Sequence, residues 1–582
     1  MSDHVLASPP LTALAHPRGH LLHQLYLPEA IAAKIKAGAT DLPSITLDHR
    51  QLCDLELLLN RAFSPLDGFM REVDYQSVVD RLRLANGLLW PMPINLDVSE
   101  AFAATLSHGQ EVVLVDGKAK SLAILSVSDI FRPDRKHEAL KVYGTLDMSH
   151  PGVAELFTRG PVYLGGRLRG LQSPDHSDFS DLRLSPHTLR QWFERQGWER
   201  VVAFQTRNPM HRAHVELTRR AMDAVEGKLL LHPVVGLTKD GDIDAQTRVR
   251  CYRALLPRYP ENSVKLAVLP LAMRMAGPRE ALWHAIIRKN FGATHFIVGR
   301  DHAGPGNDAA GHPFYAPLAA QELLKSHAHE LGIEILAFAS MVFSPARRSY
   351  VSTDELKEGE PVLDVSGTQL RQHLRNDTPI PGWFTYPEVE AILRQRFPLR
   401  SQRGFTVFFT GLSGAGKSTI AQALQSSIVE LTGRPVTMLD GDEVRKNLSA
   451  GLGFSQADRS TNVLRIAYVA AEVARHGGIS ICAPIAPYAQ DRERARAMVE
   501  EHGDFIEVHV STSLDVCEAR DPKGLYAQAR AGTVKAFTGI SDPYEVPTDP
   551  DIRLDGSTLT PIELAAHILT EMHRRGLLIS DR

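Results

Sequence analysis

Residues 405–424 read FTVFFTGLSGAGKSTIAQAL: an unbroken apolar run, a glycine-rich turn, then a helical stretch. Gly411, Gly416, Lys417 and Ser418 satisfy G-x-x-x-x-G-K-[ST], with the strand before it and the helix after it that this motif requires. The glycines let the backbone N–H groups of Gly411, Leu412, Ser413, Gly414, Ala415 and Gly416 wrap phosphate oxygens. The helix that follows, carrying Thr419 in its first turn, points its positive end at them. Lys417 reaches the outer phosphates of ATP, and the Ser418 hydroxyl is a candidate Mg²⁺ ligand. A glycine-rich turn that holds no nucleotide is the alternative, and the flanking strand and helix weigh against it.

Working outward towards the C-terminus, PVTMLDGDEVRKNL (435–448) sets Asp440 and Asp442 at the end of the next strand, the edge where such sheets bind substrates. Asp442 is a candidate to take the proton of an attacking hydroxyl, and either carboxylate could hold Mg²⁺ through water. Simple capping of the helix that starts at Glu443 is the alternative reading of the two aspartates, and it is compatible with catalysis. GFSQADRSTNVLRIAYVA (453–470) adds Phe454, Arg459 and Asn462; with Arg445 they form a two-arginine, one-aromatic set suited to an acidic nucleotide. ARDPKGLYAQARAGTVKAFTGI (519–540) carries Arg520, Lys523 and Phe537 in a basic, glycine-containing segment whose composition suits a lid over phosphates.

Towards the N-terminus, FPLRSQRG (397–404) is polar and breaks the pattern, marking a boundary. Upstream of it, from about Trp198, short apolar runs alternate with helical ones: RVVAFQT, HVELTRRAMDAV, KLLLHPVVG, ALWHAIIRKNFG, THFIVGRD and IEILAFAS. That alternation predicts a parallel sheet with helices on both faces. Gly160–His187, rich in Gly, Pro, Asp and Ser, reads as another boundary. Before it, PSITLDHR (43–50), EVVLVDGKAKSLAILSV (111–127) and ALKVYGTLD (139–147) alternate with period two and predict a mainly β region.

Within the α/β region, RVVAFQTRNPMHRAH (200–214) is a strand, a polar turn and a helix start that presents Gln205, Thr206, Arg207, Asn208, His211 and His214. His211 and His214 are three apart and share one helix face at its N-terminal end, where imidazole and guanidinium donors can meet phosphate oxygens. A zinc pair, a structural helix cap and surface histidines are the competing readings; no H-E-x-x-H or Cys pattern supplies further zinc ligands. HFIVGRDHAGPG (295–306) puts Gly299, Arg300, Asp301, His302 and Ala303 at another strand end, and ILAFASMVFSPARRSY (335–350) ends a third strand with Met341, Val342, Arg347 and Arg348. Three such clusters at strand ends of one parallel sheet predict one crevice.

The whole chain has 582 residues, too many for one core, and a formal net charge of −3. About three or four domains are expected. No long Lys/Arg tract marks a nucleic-acid partner. The four cysteines (Cys53, Cys251, Cys482, Cys517) form no C-x-x-C pair, which argues against a disulfide framework or a thiolate zinc site and fits a reducing compartment. Residues 1–20 lack the basic start and apolar core of a secretory leader, and the longest apolar stretch, Leu266–Met275, is too short for a membrane span. These features predict a cytoplasmic protein with small-molecule substrates, no nucleic acid and no membrane partner.

GLSGAGKST, LDGDEVR, GFSQADRSTNVLRIA, APIAPYAQDR, RDPKGLY and KAFTGI, in this order over residues 403–560, resemble adenylyl-sulfate kinase. The resemblance implies that Asp442, Arg445, Arg459, Asn462 and Lys523 hold adenylyl sulfate with Phe454 and Phe537 on its adenine, that Arg520 contacts the ATP adenine, and that Mg²⁺ is needed. Many members of that family carry a phosphorylatable Ser where this chain has Ala486; direct in-line transfer does not need it. QTRNPMHRAH and GRDHAGPG resemble ATP sulfurylase, and NRAFSPLDGFM (60–70) resembles its PUA-like N-terminal domain. By that likeness Gln205, Arg207 and the Ala303 backbone hold sulfate. Thr206, Asn208, His211 and His214 meet the ATP phosphates, and Gly299–His302 and Val342 line the adenosine pocket. The implied architecture is a β-rich PUA-like domain (1–175), a Rossmann-like nucleotidyltransferase domain (176–397) and a P-loop kinase domain (403–582), assembled as a symmetric homo-oligomer. Three rivals stand beside it: a regulatory, non-catalytic kinase-like domain, an inert sulfurylase-like scaffold, and an RNA-directed nucleotidyltransferase.

Overall fold

The computed structural model describes residues 24–239, 242–376, 378–534 and 536–578; the leader reading of residues 1–20 lies outside them, as does Lys535 of the KAFTGI stretch. By its contacts the chain divides into two compact units, residues 1–366 with 380–393, and residues 367–379 with 394–582.

The first unit contains two sheets. In the N-terminal sheet, β1 (Ser44–Thr46), β4 (Glu111–Val115), β5 (Ser121–Phe131), β6 (Val162–Gly170) and β2 (Gly68–Phe69) lie in that order, with β3 (Leu96–Val98) also on β6. The β4–β5 hairpin closes where the alternation placed it, because Asp116 Oδ1 accepts from the backbone N–H of Lys118 and Lys120 and ties the turn. The region holds more helix than a mainly β reading allows, including His49–Leu59, Glu72–Arg81 and Pro151–Thr158. Two expectations are corrected. Ala139–Tyr143 is a π-type helical turn, not a strand. Gly160–His187 is not a boundary throughout, since residues 162–170 are the buried strand β6.

The second sheet is parallel, in the order β11 (Glu334–Ala337), β10 (His295–Val298), β7 (Val201–Phe204), β8 (Lys228–Leu231), β9 (Val264–Leu266). The chain goes one way from β7 to β8 and β9, then returns to the other side of β7 for β10 and β11. The reversal point lies between β7 and β10, and ligand crevices open at the carboxyl ends of strands at such points. The third expected strand is in this sheet as β11, but the residues expected at its end are corrected: Met341–Ser344 (β12), which follows it, leaves the sheet and pairs antiparallel with Ser349–Ser352 (β13) in a separate hairpin. Its turn places Arg348 at φ 49°, and Arg347 pairs with Glu360 at 2.6 Å. One apolar cluster runs from Ile45 through Leu164 and on to Ile333, so the two expected N-terminal domains share a single core.

The second unit carries a five-stranded parallel sheet, in the order β15 (Val436–Asp440), β16 (Ile479–Ala483), β14 (Phe405–Thr410), β17 (Asp504–Val510), β18 (Ile552–Leu554). Every residue of β14 is buried. Phe405, Val407 and Phe409 pack with Ile420, Leu424 and Ile568 of helices Lys417–Thr432 and Pro561–Arg574, while Phe408 packs with Val463, Ile466 and Ala470 of helix Gln456–Arg475. Strand periodicity thus explains the continuous apolar run: both faces are covered by helices. Each fully buried large side chain adds roughly 1.5–3 kcal/mol.

Candidate active sites

In the first unit β7 delivers Gln205, Thr206, Arg207 and Asn208 to the carboxyl edge of the sheet, and helix Arg212–Ala224 begins directly after. The turn is pinned from both ends. Thr206 Oγ1 accepts from Asn208 N–H at 3.1 Å and donates to its carbonyl at 3.0 Å, Tyr252 Oη donates to the same carbonyl at 2.7 Å, and Val234 N–H donates to the Thr206 carbonyl. His211 is the N-cap residue of the helix, and its backbone N–H donates to His214 Nδ1 at 3.1 Å. That bond makes Nδ1 the acceptor, so a neutral His214 carries its proton on Nε2, ready to donate to an anion. Burial pushes the imidazoles of His211 and His214 down to about 3 and about 4. Both are therefore uncharged donors near neutral pH, and the positive potential here comes from Arg207 and the helix N-terminus.

His302 follows β10 in the adjacent loop, with Gly299, Arg300 and Asp301 before it and Ala303, at φ 55°, after it. The neighbouring strands β7 and β10 therefore bring the first two predicted clusters to one edge. His302 Nε2 lies 3.1 Å from His284 Nδ1, and Gln205 Nε2 lies 3.5 Å from His284 Nε2. Val342 is buried in the hairpin, on a different sheet from these loops.

Several partners were invisible in the sequence reading. Arg207 pairs with Asp242, Nη1 to both carboxylate oxygens at 2.6 Å. His211 Nδ1 lies 2.9 Å from Thr385 Oγ1, and its ring packs against Phe384 with centroids 4.3 Å apart. Arg212 N–H donates to the Phe384 carbonyl.

In the second unit a cavity of about 690 Å³ is lined by the glycine-rich loop, by the ends of β15 and β16, and by the 520–538 segment. Asp442, Arg445, Phe454, Arg459, Asn462, Arg520, Lys523 and Phe537 all line it, as do Ser413, Gly414 and Gly416–Thr419. Gly411, Leu412 and Ala415 form the back of the loop. Gly411 sits at φ 149°, where a Cβ would lie 2.5 Å from the Val510 carbonyl oxygen, so this turn admits only glycine. The Lys417 ammonium donates to the Gly411 and Leu412 carbonyls at 2.9 and 2.7 Å, and burial pushes its pKa down to about 8.

Ser418 Oγ donates to Asp440 Oδ2 at 2.6 Å, while Asp440 Oδ1 accepts from the Asp442 N–H at 3.0 Å. Asp440 therefore caps its helix, which starts at Gly441 rather than Glu443, and faces the loop hydroxyl at once. One hydroxyl and one carboxylate beside a phosphate cradle suit Mg²⁺, which keeps several waters and takes one or two carboxylates plus substrate oxygens. Asp442 pairs with Lys523. The Arg445 guanidinium lies 4.6 Å from the Phe454 ring centroid, and Phe454 itself is 64% exposed. Arg459 pairs with Asp542 at 3.2 Å and donates to Thr538 and the Ala536 carbonyl, and Asn462 Oδ1 is buried with no hydrogen-bond partner among the described residues. The predicted lid is anchored: Tyr526 Oη donates to the Ser413 carbonyl at 2.8 Å, and its ring meets Phe537 edge to face. Ala486, at φ 46°, is buried, and its carbonyl accepts from Thr410 Oγ1 and Arg492. All four cysteines are free and buried, and no group of three or more metal-ligating side chains occurs among the described residues. No helix among those residues is long and apolar enough to cross a membrane.

Family models match along the chain: a PUA-like domain over residues 15–173, ATP-sulfurylase over 180–396, and adenylylsulphate kinase over 403–555. The chain is 51% identical to a sulfate adenylyltransferase of Gibberella zeae, covering 97% of this chain and 99% of that one. It is equally similar to a sulfate adenylyltransferase of Emericella nidulans, 51% identical with 96% and 98% covered. Among solved structures it resembles one described as a hexameric APS kinase from Thiobacillus denitrificans, with a TM-score of 0.75, 35% identity, and 97% and 99% of the two chains covered. With a β7–β10 edge that gathers Gln205–His214 and His302, and a second unit built on an intact glycine-rich loop, the chain belongs to the sulfate adenylyltransferase (ATP-sulfurylase) family and carries an adenylylsulphate kinase domain at its C-terminal end.

Proposed function

We propose that the chain performs two reactions in series: ATP and sulfate give adenylyl sulfate and pyrophosphate, and a second ATP then phosphorylates adenylyl sulfate at its 3′-hydroxyl. The observation that carries the second step is the complete kinase cavity, with Lys417 on the loop carbonyls and Ser418 against Asp440. A regulatory domain that had lost catalysis would have no need to keep that set.

In the first step a sulfate oxygen attacks the α-phosphorus and the bond to the β-phosphate oxygen breaks. Repulsion between sulfate and triphosphate is the main obstacle, so fixed donors are the remedy. Gln205, Arg207 and the Ala303 backbone orient sulfate. His214 Nε2–H, with His211, Thr206, Asn208 and the helix N-terminus, stabilises charge on the five-coordinate phosphorus and the leaving pyrophosphate. Gly299, Arg300, Asp301, His302 and Val342 receive the adenosine.

In the second step the 3′-oxygen attacks the γ-phosphorus in line and ADP leaves. Asp442 orients the hydroxyl, Lys417 and the loop amides neutralise the transferring group, and Arg445, Arg459, Asn462, Phe454 and Phe537 hold adenylyl sulfate. Arg520 lies against the ATP adenine, and Lys523 releases Asp442 as substrate enters. Ser418 and Asp440 would hold Mg²⁺, which would supply positive charge against the outer phosphates. In this reading the domains run over residues 1–175, 176–397 and 403–582, and the protein is a cytoplasmic homo-oligomer.

Incubation with ATP, Mg²⁺, labelled sulfate and pyrophosphatase, followed by separation of labelled nucleotides, tests the whole sequence. Label must appear first in adenylyl sulfate and then in its 3′-phosphorylated form, with ADP released. Label that stops at adenylyl sulfate, without ADP, would assign the C-terminal domain a regulatory role instead.

A further inference from the structure

Among the fully buried polar side chains of helix Gly277–Asn290 are Glu280 and His284, which the two-step reading does not use. Glu280 is fixed first. Its Oε1 accepts from Arg274 N–H and its Oε2 from Ala276 N–H, both at 2.9 Å, so the carboxylate cannot swing away. His284 sits one turn further along, with Nε2 3.3 Å from Glu280 Oε1. The imidazole then reaches in two directions. Nδ1 lies 3.1 Å from His302 Nε2 in the loop after β10, and Nε2 lies 3.5 Å from the Gln205 amide at the end of β7. The same helix also holds the second loop through its backbone, since Gly277 N–H donates to the Ala303 carbonyl at 3.2 Å.

We propose that His284, anchored by Glu280, is a positioning residue that sets the Gln205 amide and the His302 ring together, so that the sulfate end and the nucleotide end of the first site are aligned by one side chain. The inference rests on the assignment of Gln205 to sulfate and His302 to ATP made above. Its physical basis is hydrogen-bond bookkeeping on a neutral imidazole, which offers one donor and one acceptor. A proton on Nε2, facing the Glu280 carboxylate, leaves Nδ1 to accept from His302 Nε2–H. That fixes the His302 tautomer. Gln205 Nε2 faces His284 Nε2 at 3.5 Å while Gln205 Oε1 is buried with no partner among the described residues, so two donors meet. Turning the amide over gives the His284 Nε2–H an oxygen to donate to and points the NH₂ away from it. Amide orientation follows the network around it, and only an NH₂ can donate to a sulfate oxygen. Burial strengthens both restraints, because a polar group that loses its partner here has no water to replace it.

The two ring nitrogens can be separated by substitution, since an Asn amide mimics the Nδ1 position and a Gln amide the Nε2 position. Full-length His284→Asn, His284→Gln, His284→Phe and Glu280→Gln are compared with wild type by pyrophosphate release, varying sulfate at saturating ATP and then the reverse. H284N is expected to raise KM for sulfate about tenfold with KM for ATP little changed, and H284Q to do the opposite, the size expected for one lost hydrogen bond. H284F raises both, and E280Q moves both in the same direction by less. The inference is overturned if H284N and H284Q alter both constants equally, if only kcat falls, or if H284F leaves both KM values within about twofold of wild type. Should H284F fail to fold, the Asn and Gln variants alone decide. Failure of the underlying assignment looks different: wild type releases no pyrophosphate with sulfate, or Gln205→Ala leaves KM for sulfate unchanged, and the inference falls with it.

Discussion

Arg207 and Asp242 form an ion pair in which a single guanidinium nitrogen, Nη1, lies 2.6 Å from both carboxylate oxygens. The pair is largely screened from solvent, with side chains 19% and 12% exposed. A sulfate dianion that needs Arg207 therefore competes with a carboxylate already there. Asp242→Asn removes the competing charge and keeps the shape, so KM for sulfate should fall by about three- to tenfold, the scale of one charge-assisted hydrogen bond partly offset by solvent. Initial rates of pyrophosphate release against sulfate concentration check this. A rise in KM would mean that Asp242 orients Arg207 rather than competing for it.

The two reactions proposed above predict separable losses. Arg207→Ala should reduce adenylyl sulfate formation by at least about a hundredfold, as removal of a donor to developing charge does, while leaving phosphorylation of added adenylyl sulfate intact. Lys417→Ala should do the reverse. If either change abolishes both activities, the two sites are not independent.

Lys417 carries a pH signature. Burial lowers its ammonium pKa to about 8 from the ordinary 10.5, so the free protein loses this charge as pH rises through about 8. In the proposed kinase step the ammonium is the form that neutralises transferred phosphate, so kcat/KM for ATP should fall on the alkaline side with an apparent pKa near that value. The stability sign is opposite. Between about 8 and 10.5 the unfolded chain binds this proton and the folded one does not, so the Lys417 contribution to stability rises with pH across that window. A flat kinase profile up to pH 9.5 would contradict the assignment.

How much of this was legible in the sequence depends on the range of the contacts. Residues 405–424 and 200–214 could be read because strand, turn and helix start are contiguous, and the chemistry sits inside one turn. Asp242 and Thr385 could not, since they lie 35 and 174 residues from the groups they hold. The ALKVY segment was misread because Val and Tyr suggest a strand. Yet its buried residues are Ala139, Val142 and Tyr143, with Leu140 exposed, which is helical spacing. In Gly160–His187 the glycines suggested a loop. The structure gives another reason for two of them: a Cβ at Gly165 would lie 2.5 Å from the Met70 carbonyl oxygen, and one at Gly166 2.1 Å from that of Ser126. Glycine there permits close approach of neighbouring backbone, not a break in the strand.

The paired imidazoles of the first site predict an acid limb of stability. Burial depresses His211 and His214 to about 3 and about 4, below the 6.5 of an unfolded histidine. Between those values the unfolded chain binds protons that the folded chain refuses. Their contribution is complete above about 6.5 and is lost as pH falls towards 4, at up to about 1.4 kcal/mol per pH unit for each group. Urea midpoints from pH 7 to pH 4.5 should fall less steeply for His214→Asn than for wild type. Equal slopes would place these rings in water.

Ser418 and Asp440 belong to different elements of the second unit, one at the start of the helix after β14 and the other at the end of β15, yet their oxygens meet at 2.6 Å. In the proposed kinase step Lys417, beside Ser418, would act on phosphate through its own charge, whereas this pair has no positive charge and would act on ATP through a bound cation. Substitution here should therefore alter the cation requirement before it alters adenylyl sulfate binding. Asp440→Asn keeps an oxygen that can accept the Asp442 N–H and so preserves the cap, but removes the negative charge. The Mg²⁺ concentration for half-maximal kinase activity should rise by about tenfold or more, with KM for adenylyl sulfate near wild type and full activity approached at high Mg²⁺. Ser418→Ala should shift the same requirement by less, because a neutral hydroxyl contributes less than a carboxylate. Mg²⁺ titrations of ADP release at fixed nucleotide concentrations read both variants. An unchanged Mg²⁺ requirement in D440N, whatever the loss in rate, would leave Asp440 as a helix cap alone.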